Sequence, residues 1–393
     1  MFSKQMYEYG SVRSCIRELF EFGKQRAAVV GKENVFDFSL GNPSIPAPKK
    51  VEEAICRLLN NENPIAIHGY SSAAGNDSVR ETIADSINKR QGTNFSKNNI
   101  FITCGAAPAL MACFKALICS SDSEIVAIAP YFPEYKCFVE ASGGKLTVVP
   151  ANTETFQINF NELEKRINKN TQAVIINSPN NPSGVVYTED TIRHLSDMLT
   201  EKSSIYGHPI YLISDEPYRE LVYGGIKVPY VPKYYKNTLV CYSYSKSLSL
   251  PGERIGYIVI PDEIEDFNML YPAVAGGARA AGHVCAPTLF QRVIAECIDV
   301  MPDLTIYEKN RNLLYNSFTK MGYHCAKPDG AFYLFFEAPK GYTAKEFSEK
   351  AKEYNLLIVP GDDFGCPNHL RLSYCVTTEQ IEKALPIFEK LIK

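Results

Sequence analysis

Short apolar runs rich in β-branched residues recur through the middle of this chain, with amphipathic stretches between them. The runs are Ile100–Thr103, Ile125–Ala129, Leu146–Pro150, Ala173–Asn177, Ile210–Ser214, Leu239–Tyr242 and Ile255–Ile260. Val79–Lys89, Ala107–Leu117 and Thr188–Leu199 carry apolar residues at helical spacing. Strands that are apolar throughout must be covered on both faces, and helices in the connections supply that cover. The pattern predicts an α/β fold, a large domain over residues 47–288 with a mostly parallel sheet covered by helices. Residues 1–46 and 289–393 are predicted to form an N-terminal arm and a smaller α+β domain. Within them, residues 11–30 read as one amphipathic helix with Val12, Ile16, Leu19 and Phe20 on its apolar side. A second helical stretch runs from about residue 290 to Met321. Strands are expected at Phe332–Glu337, Leu356–Val359 and Leu370–Tyr374, with a closing helix after Thr377. The arm is expected to pack with this tail.

Charge and cysteine usage narrow the function. The 41 basic and 44 acidic residues are interspersed and leave no basic stripe, so no nucleic acid partner is expected. No apolar run approaches the roughly 18 residues of a membrane helix, and the N-terminus lacks the apolar segment of an export signal. The 12 cysteines are scattered without a C-x-x-C pair, and the six histidines lack H-E-x-x-H spacing. No metal site is predicted, and reduced thiols point to a cytoplasmic enzyme.

Four segments carry candidate chemistry, each just past a predicted strand, where α/β sheets present their ligands. Ser243-Tyr-Ser-Lys246 is followed by Gly252-Glu-Arg254-Ile-Gly256-Tyr257, which joins a lysine to hydroxyls and an arginine. A Schiff-base lysine needs a desolvated site, and a phosphorylated ligand needs a cation with hydroxyl donors. Asp215, in Ser214-Asp215-Glu-Pro-Tyr218, could hold a pyridine nitrogen protonated, and the Tyr218 phenol could donate to the same ring. Asn177-Ser-Pro-Asn180-Asn181-Pro182 offers amide donors in a turn, and Thr103-Cys104-Gly105-Ala106-Ala107 begins a helix with small residues that admit an anion. Taken singly, each has an ordinary reading as well: a solvated lysine, a helix N-cap, a plain turn, a common strand-to-helix connection.

In this order the segments resemble the class I and II aminotransferases among the fold-type I pyridoxal-phosphate enzymes, over nearly the whole chain from Leu40-Gly41-Asn42-Pro43 to Arg371-Leu-Ser-Tyr374. The resemblance implies pyridoxal 5'-phosphate held as a Schiff base on Lys246, which also moves the substrate proton. It implies Asp215 at the pyridinium nitrogen, Asn181 and Tyr218 at the ring oxygen, and Phe132 (with Tyr131 as the neighbouring candidate) on the ring face. Gly105, Ala106, Ala107, Ser243 and Arg254 would cradle the phosphate. Arg371 would clamp the substrate α-carboxylate beside Gly41 and Asn181. Tyr70 matches a tyrosine that reaches the neighbouring subunit's phosphate, which implies a homodimer with shared active sites. The same resemblance suggests a cis Asn181–Pro182 bond.

The implied reaction is transamination between an L-amino acid and a 2-oxo acid, with a C–S β-lyase on the same scaffold as the alternative. Substrate choice stays open. One aspartate-specific branch carries a lysine where this chain has Ala107, and Arg13, Arg17 and Arg279 are the candidates for holding a distal carboxylate.

Overall fold

The computed structural model describes residues 1–11 and 14–393. All seven predicted strands of the middle region form one sheet, each within two residues of its expected bounds. They are β1 (Ile100–Thr103), β2 (Glu124–Ile128), β3 (Lys145–Val149), β4 (Thr171–Asn177), β5 (Tyr211–Asp215), β6 (Thr238–Ser243) and β7 (Gly256–Val259). The order is β1-β7-β6-β5-β4-β2-β3, and only β7 runs antiparallel to its neighbours.

Alternate residues of these strands are buried on the two faces of the sheet. Ile175, Ile213, Leu239 and Ile258 pack on one face with the helices Ala106–Leu117 and Phe267–Ala280. Val126, Val174, Ile176 and Leu212 pack on the other with the helix Glu189–Tyr206. Burial on both faces is why the sequence shows continuous apolar runs here and no alternation. One consequence positions the site. The carboxyl ends of β1, β2, β4, β5 and β6 lie along one edge, and β7 begins there, so six separate chain turns meet at a single rim.

The tail forms a three-stranded antiparallel sheet, β8 (Tyr333–Glu337), β9 (Val359–Pro360) and β10 (His369–Ser373), in the order β9-β10-β8. Phe318, Phe336, Leu370 and Phe388 join this sheet to the helices Thr305–Met321 and Thr378–Ile392. The N-terminal segment packs with it: Phe36–Asp37 pairs with Leu356–Leu357, and Leu19 meets Leu357, Val359 and Phe364.

Three expectations need correction. The helix expected over 11–30 begins at Cys15, after an extended Ser14, and a separate helix covers Lys4–Ser11. Val12 and Arg13 lie outside the described residues, and Phe20 is 41% exposed. The stretch from 290 to 321 is two helices, Thr288–Glu296 and Thr305–Met321. Pro302 lacks the N–H that a continuous helix needs, and the Asp303 carboxylate accepts from the Thr305 N–H at 3.0 Å to start the second one. The strand expected at Leu356–Val359 divides, its first half pairing with Phe36–Asp37 and its second with β10. Among the described residues no helix is long and apolar enough to cross a membrane.

Candidate active site

The rim encloses a cavity of about 320 Å³, closed on its far side by the tail sheet and the N-terminal segment. Lys246 stands in the single helical turn Tyr244–Ser247 that follows β6, a turn started by the Ser243 side chain accepting from the Ser245 N–H. Its Nζ donates to the Gly41 carbonyl at 2.7 Å. Burial pushes the Lys246 ammonium down to about 8; Cys375 opposes this, and Arg371 and then Arg254 add smaller effects in the direction of burial.

Asp215 ends β5 and is buried. Its Oδ2 accepts from the Tyr135 hydroxyl at 2.6 Å and from Asn177 Nδ2 at 3.4 Å, while Oδ1 has no partner among the described residues. Burial pushes this carboxyl up to about 7, the Tyr135 hydrogen bond opposing and Glu216 adding to the shift. A buried acceptor without a donor is rare in native proteins and marks a place where a ligand donor belongs.

Gly105 takes a positive φ of +93° before the helix Ala106–Leu117, and a Cβ there would meet Arg254 Nη2 at 2.7 Å. Glycine thus lets the guanidinium lie against the helix N-terminus. Arg254 itself holds φ +53° and donates from Nη1 to the Pro251 carbonyl at 2.7 Å. With Ser243, Ala106 and Ala107 on the same wall, this corner offers an anion a cation, hydroxyls and free N–H groups.

On the opposite wall Arg371, only 2% exposed, extends from β10. Nη1 donates to Asn181 Oδ1 at 3.0 Å, Nη2 to the Ser39 carbonyl, and Nε has no partner among the described residues. The guanidinium lies between the rings of Tyr333 and Phe364, 4.8 and 5.1 Å from their centroids. Tyr218 shares a hydrogen bond with Tyr333, hydroxyl to hydroxyl at 2.9 Å. The Asn181–Pro182 bond is cis, as expected.

Gly41, Ala106, Ala107, Phe132, Asn181, Asp215, Tyr218, Ser243, Lys246, Arg254 and Arg371 all line this cavity, and Gly105 lies behind Arg254. Phe132 faces it, whereas Tyr131 packs toward Gly365. Tyr70 does not reach it: it is 92% exposed on the surface of the chain. Arg17 and Arg279 are exposed and do not line the cavity, and Arg13 is outside the described residues. Sequence reasoning missed Tyr135, Asn177, Tyr333 and Ile16. Asn177 stood inside a segment already singled out; Ile16, from the N-terminal helix, and Tyr333, from Gly330-Ala-Phe-Tyr333, reach the wall only through tertiary packing.

The arrangement suits a flat, phosphorylated nitrogen heterocycle. It has a carboxylate with an unpartnered oxygen at one end, an anion cradle at another, an aromatic wall, a desolvated amine and a separate arginine for a second anion. A family model described as aminotransferase class I and II matches residues 33–388. A crystal structure of an amino transferase from Eubacterium rectale superposes with a TM-score of 0.97 at 57% identity, covering 100% of this chain and 98% of that one. The aspartate aminotransferase of Thermotoga maritima superposes with a TM-score of 0.87 at 28% identity, covering 100% of each chain. The aromatic-amino-acid aminotransferase 2 of Thermococcus litoralis is 28% identical over 394 residues, 96% of this chain and 95% of the relative.

Proposed function

Because this chain belongs to the class I and II aminotransferase family and is a transaminase, we propose that it uses pyridoxal 5'-phosphate, bound at Lys246, to exchange the amino group of an L-amino acid with a 2-oxo acid. The observation that carries this reading is that Asp215, whose Oδ1 is unpartnered among the described residues, lines the same cavity as Lys246 and Arg371. When bound, the cofactor supplies the carbonyl that takes up the amino group and the ring that withdraws electrons from the substrate α-carbon.

The remaining work falls to the protein. Asp215 balances the ring nitrogen's proton, and a positive partner against Oδ1 restores the ionisation that burial opposes. Gly105, Ala106, Ala107, Ser243 and Arg254 hold the phosphate, and Phe132 covers the ring face. Tyr218 and Asn181 donate to the ring oxygen. Arg371 takes the α-carboxylate, for which a planar guanidinium is better shaped than an ammonium, and Gly41 lines the same pocket. With a value of about 8, roughly a tenth of Lys246 is neutral at pH 7, so the amine can accept the α-proton and return it. Its place against Gly41 puts that proton transfer between the cofactor cradle and the carboxylate clamp.

The same reading assigns the cofactor to a large domain over residues 47–288, with residues 1–46 and 289–393 closing the substrate side. It makes the protein a cytoplasmic homodimer in which Tyr70 serves the partner's phosphate site, which accounts for its exposure in one chain. Mixing the holoenzyme with single amino acids and following its visible band tests the reaction: true donors bleach the band once, and a 2-oxo acid restores it. Lys246→Ala is expected to abolish both the band and turnover, and full activity in that variant would overturn the mechanism. Rapid release of pyruvate and ammonia from cystathionine without any 2-oxo acid acceptor would instead identify a β-lyase.

A further inference from the structure

Asp215 is anchored from one side only. The Tyr135 hydroxyl donates to Oδ2 at 2.6 Å; Asn177 Nδ2 lies 3.4 Å from the same oxygen and spends its shorter bond, 2.9 Å, on the Asp215 backbone carbonyl. Oδ1 is buried with no donor among the described residues. Tyr135 is 1% exposed, on the helix Glu134–Ala141, and its ring packs edge-on against Phe132 at 5.7 Å and 81°. The partner of Asp215 and the residue assigned to the ring face therefore come from one short segment, locked by their mutual contact.

We propose that Tyr135 is a positioning residue for the reaction: its hydroxyl fixes the Asp215 carboxylate so that Oδ1 alone stands open to the ring nitrogen of the cofactor. The proposal rests on the reading of Asp215 as that nitrogen's partner. The other titratable groups around Asp215 do not do this work. Glu216, next along the chain, is taken up by Ser214 and Arg219. Cys241, across the sheet on β6, pairs with Cys113 at 3.7 Å, and Tyr218 pairs with Tyr333. Burial, and then the charge of Asp215, push the Tyr135 phenol well above its ordinary value, so it remains a donor wherever the enzyme works. Donation to the ionised form favours that form, against the burial that disfavours it.

The test uses apoenzyme and holoenzyme of wild type, Tyr135→Phe, Asp215→Asn and the double variant. Two quantities are read: the dissociation constant of pyridoxal phosphate, and the melting temperature of the apoenzyme from pH 4 to pH 9. Tyr135→Phe removes one charge-assisted hydrogen bond and is expected to weaken cofactor binding about tenfold. In the Asp215→Asn background the same change should matter less than about twofold, because the two residues act as one unit. In wild-type apoenzyme the folded state holds the Asp215 proton more tightly than the unfolded chain, so stability falls as pH rises toward about 7. Losing the Tyr135 donor moves that fall to higher pH, and Asp215→Asn removes it. Equal loss of stability at every pH, with equal loss of affinity in both backgrounds, would reduce Tyr135 to a packing residue. If Asp215→Asn weakens the cofactor and Tyr135→Phe does not, this proposal alone fails. If Asp215→Asn leaves cofactor binding intact, the reading of Asp215 fails with it.

Discussion

Lys246 is an ammonium in a place that favours an amine, and its stability cost has a sign that can be measured. Burial holds its folded value at about 8, below the 10.5 of an ordinary lysine. Between those two values the unfolded chain binds more protons than the folded one, so apoenzyme stability rises with pH across that window. Lys246→Met should remove the slope. Its gain in melting temperature over wild-type apoenzyme is expected to be largest below pH 8 and to shrink toward pH 10.5, as a pH series of thermal scans will show. Arg371 makes the opposite case, since its planar fork is already engaged with Asn181 and the Ser39 carbonyl. Arg371→Lys keeps the charge and loses the fork, and one lost charged hydrogen bond is worth about 1.5–3 kcal/mol. KM for the amino acid should rise roughly ten- to hundredfold, read from initial rates, while cofactor content stays at the wild-type level. Lys246 was legible in the sequence because its segment carries its own chemistry, whereas Arg371 entered only through the family resemblance. Tyr135 was not legible, because a tyrosine in a helix carries no local sign that it will meet a carboxylate 80 residues away.

At the scale of elements, the corner proposed to hold the phosphate depends on a helix start that no side chain blocks. Gly105→Ala must place a Cβ against the Arg254 guanidinium and hold a left-handed φ as well. Arg254 would have to withdraw from the N-terminus of Ala106–Leu117, and the cofactor's dissociation constant is expected to rise at least tenfold, an estimate for one lost charged contact. Equilibrium dialysis of the holoenzyme would show it, and unchanged retention would remove Arg254 from the cradle. Gly41 is a second such point. A Cβ there would collide with the Tyr333 hydroxyl, which is the partner of Tyr218. Gly41→Ala should therefore disturb the substrate side and leave cofactor content unchanged, seen as a rise in KM with the visible band retained. The turn glycines and strand ends behind these effects were readable from sequence. The break at Pro302 was hidden because amphipathic spacing continues on both sides of it, and the division of Leu356–Val359 because two neighbours compete for the same short run.

For the whole molecule, the exposed Tyr70 makes a prediction that single-chain variants cannot test. If it completes the partner's site, mixed dimers of Tyr70→Ala and Lys246→Ala each contain one site with both residues intact. Refolding the two variants together should recover activity from roughly a quarter of all sites, whereas either variant alone stays low. Recovery no greater than the sum of the separate variants would place Tyr70 outside the active site.

The chain itself determined which segments become strands, because double-faced burial demands uninterrupted apolar runs, and it placed Lys246, Asp215 and Arg254 beside those strands. Only the tertiary structure decided which oxygen of Asp215 is left without a partner among the described residues, that Tyr333 bonds Tyr218 and lies against Arg371, that Ile16 lines the cavity, and that Arg17 and Arg279 do not. The physical reason is range. Apolar periodicity and turn chemistry act over a few residues and are written along the chain, whereas those choices depend on contacts between segments far apart in sequence that exist only once the cores have closed.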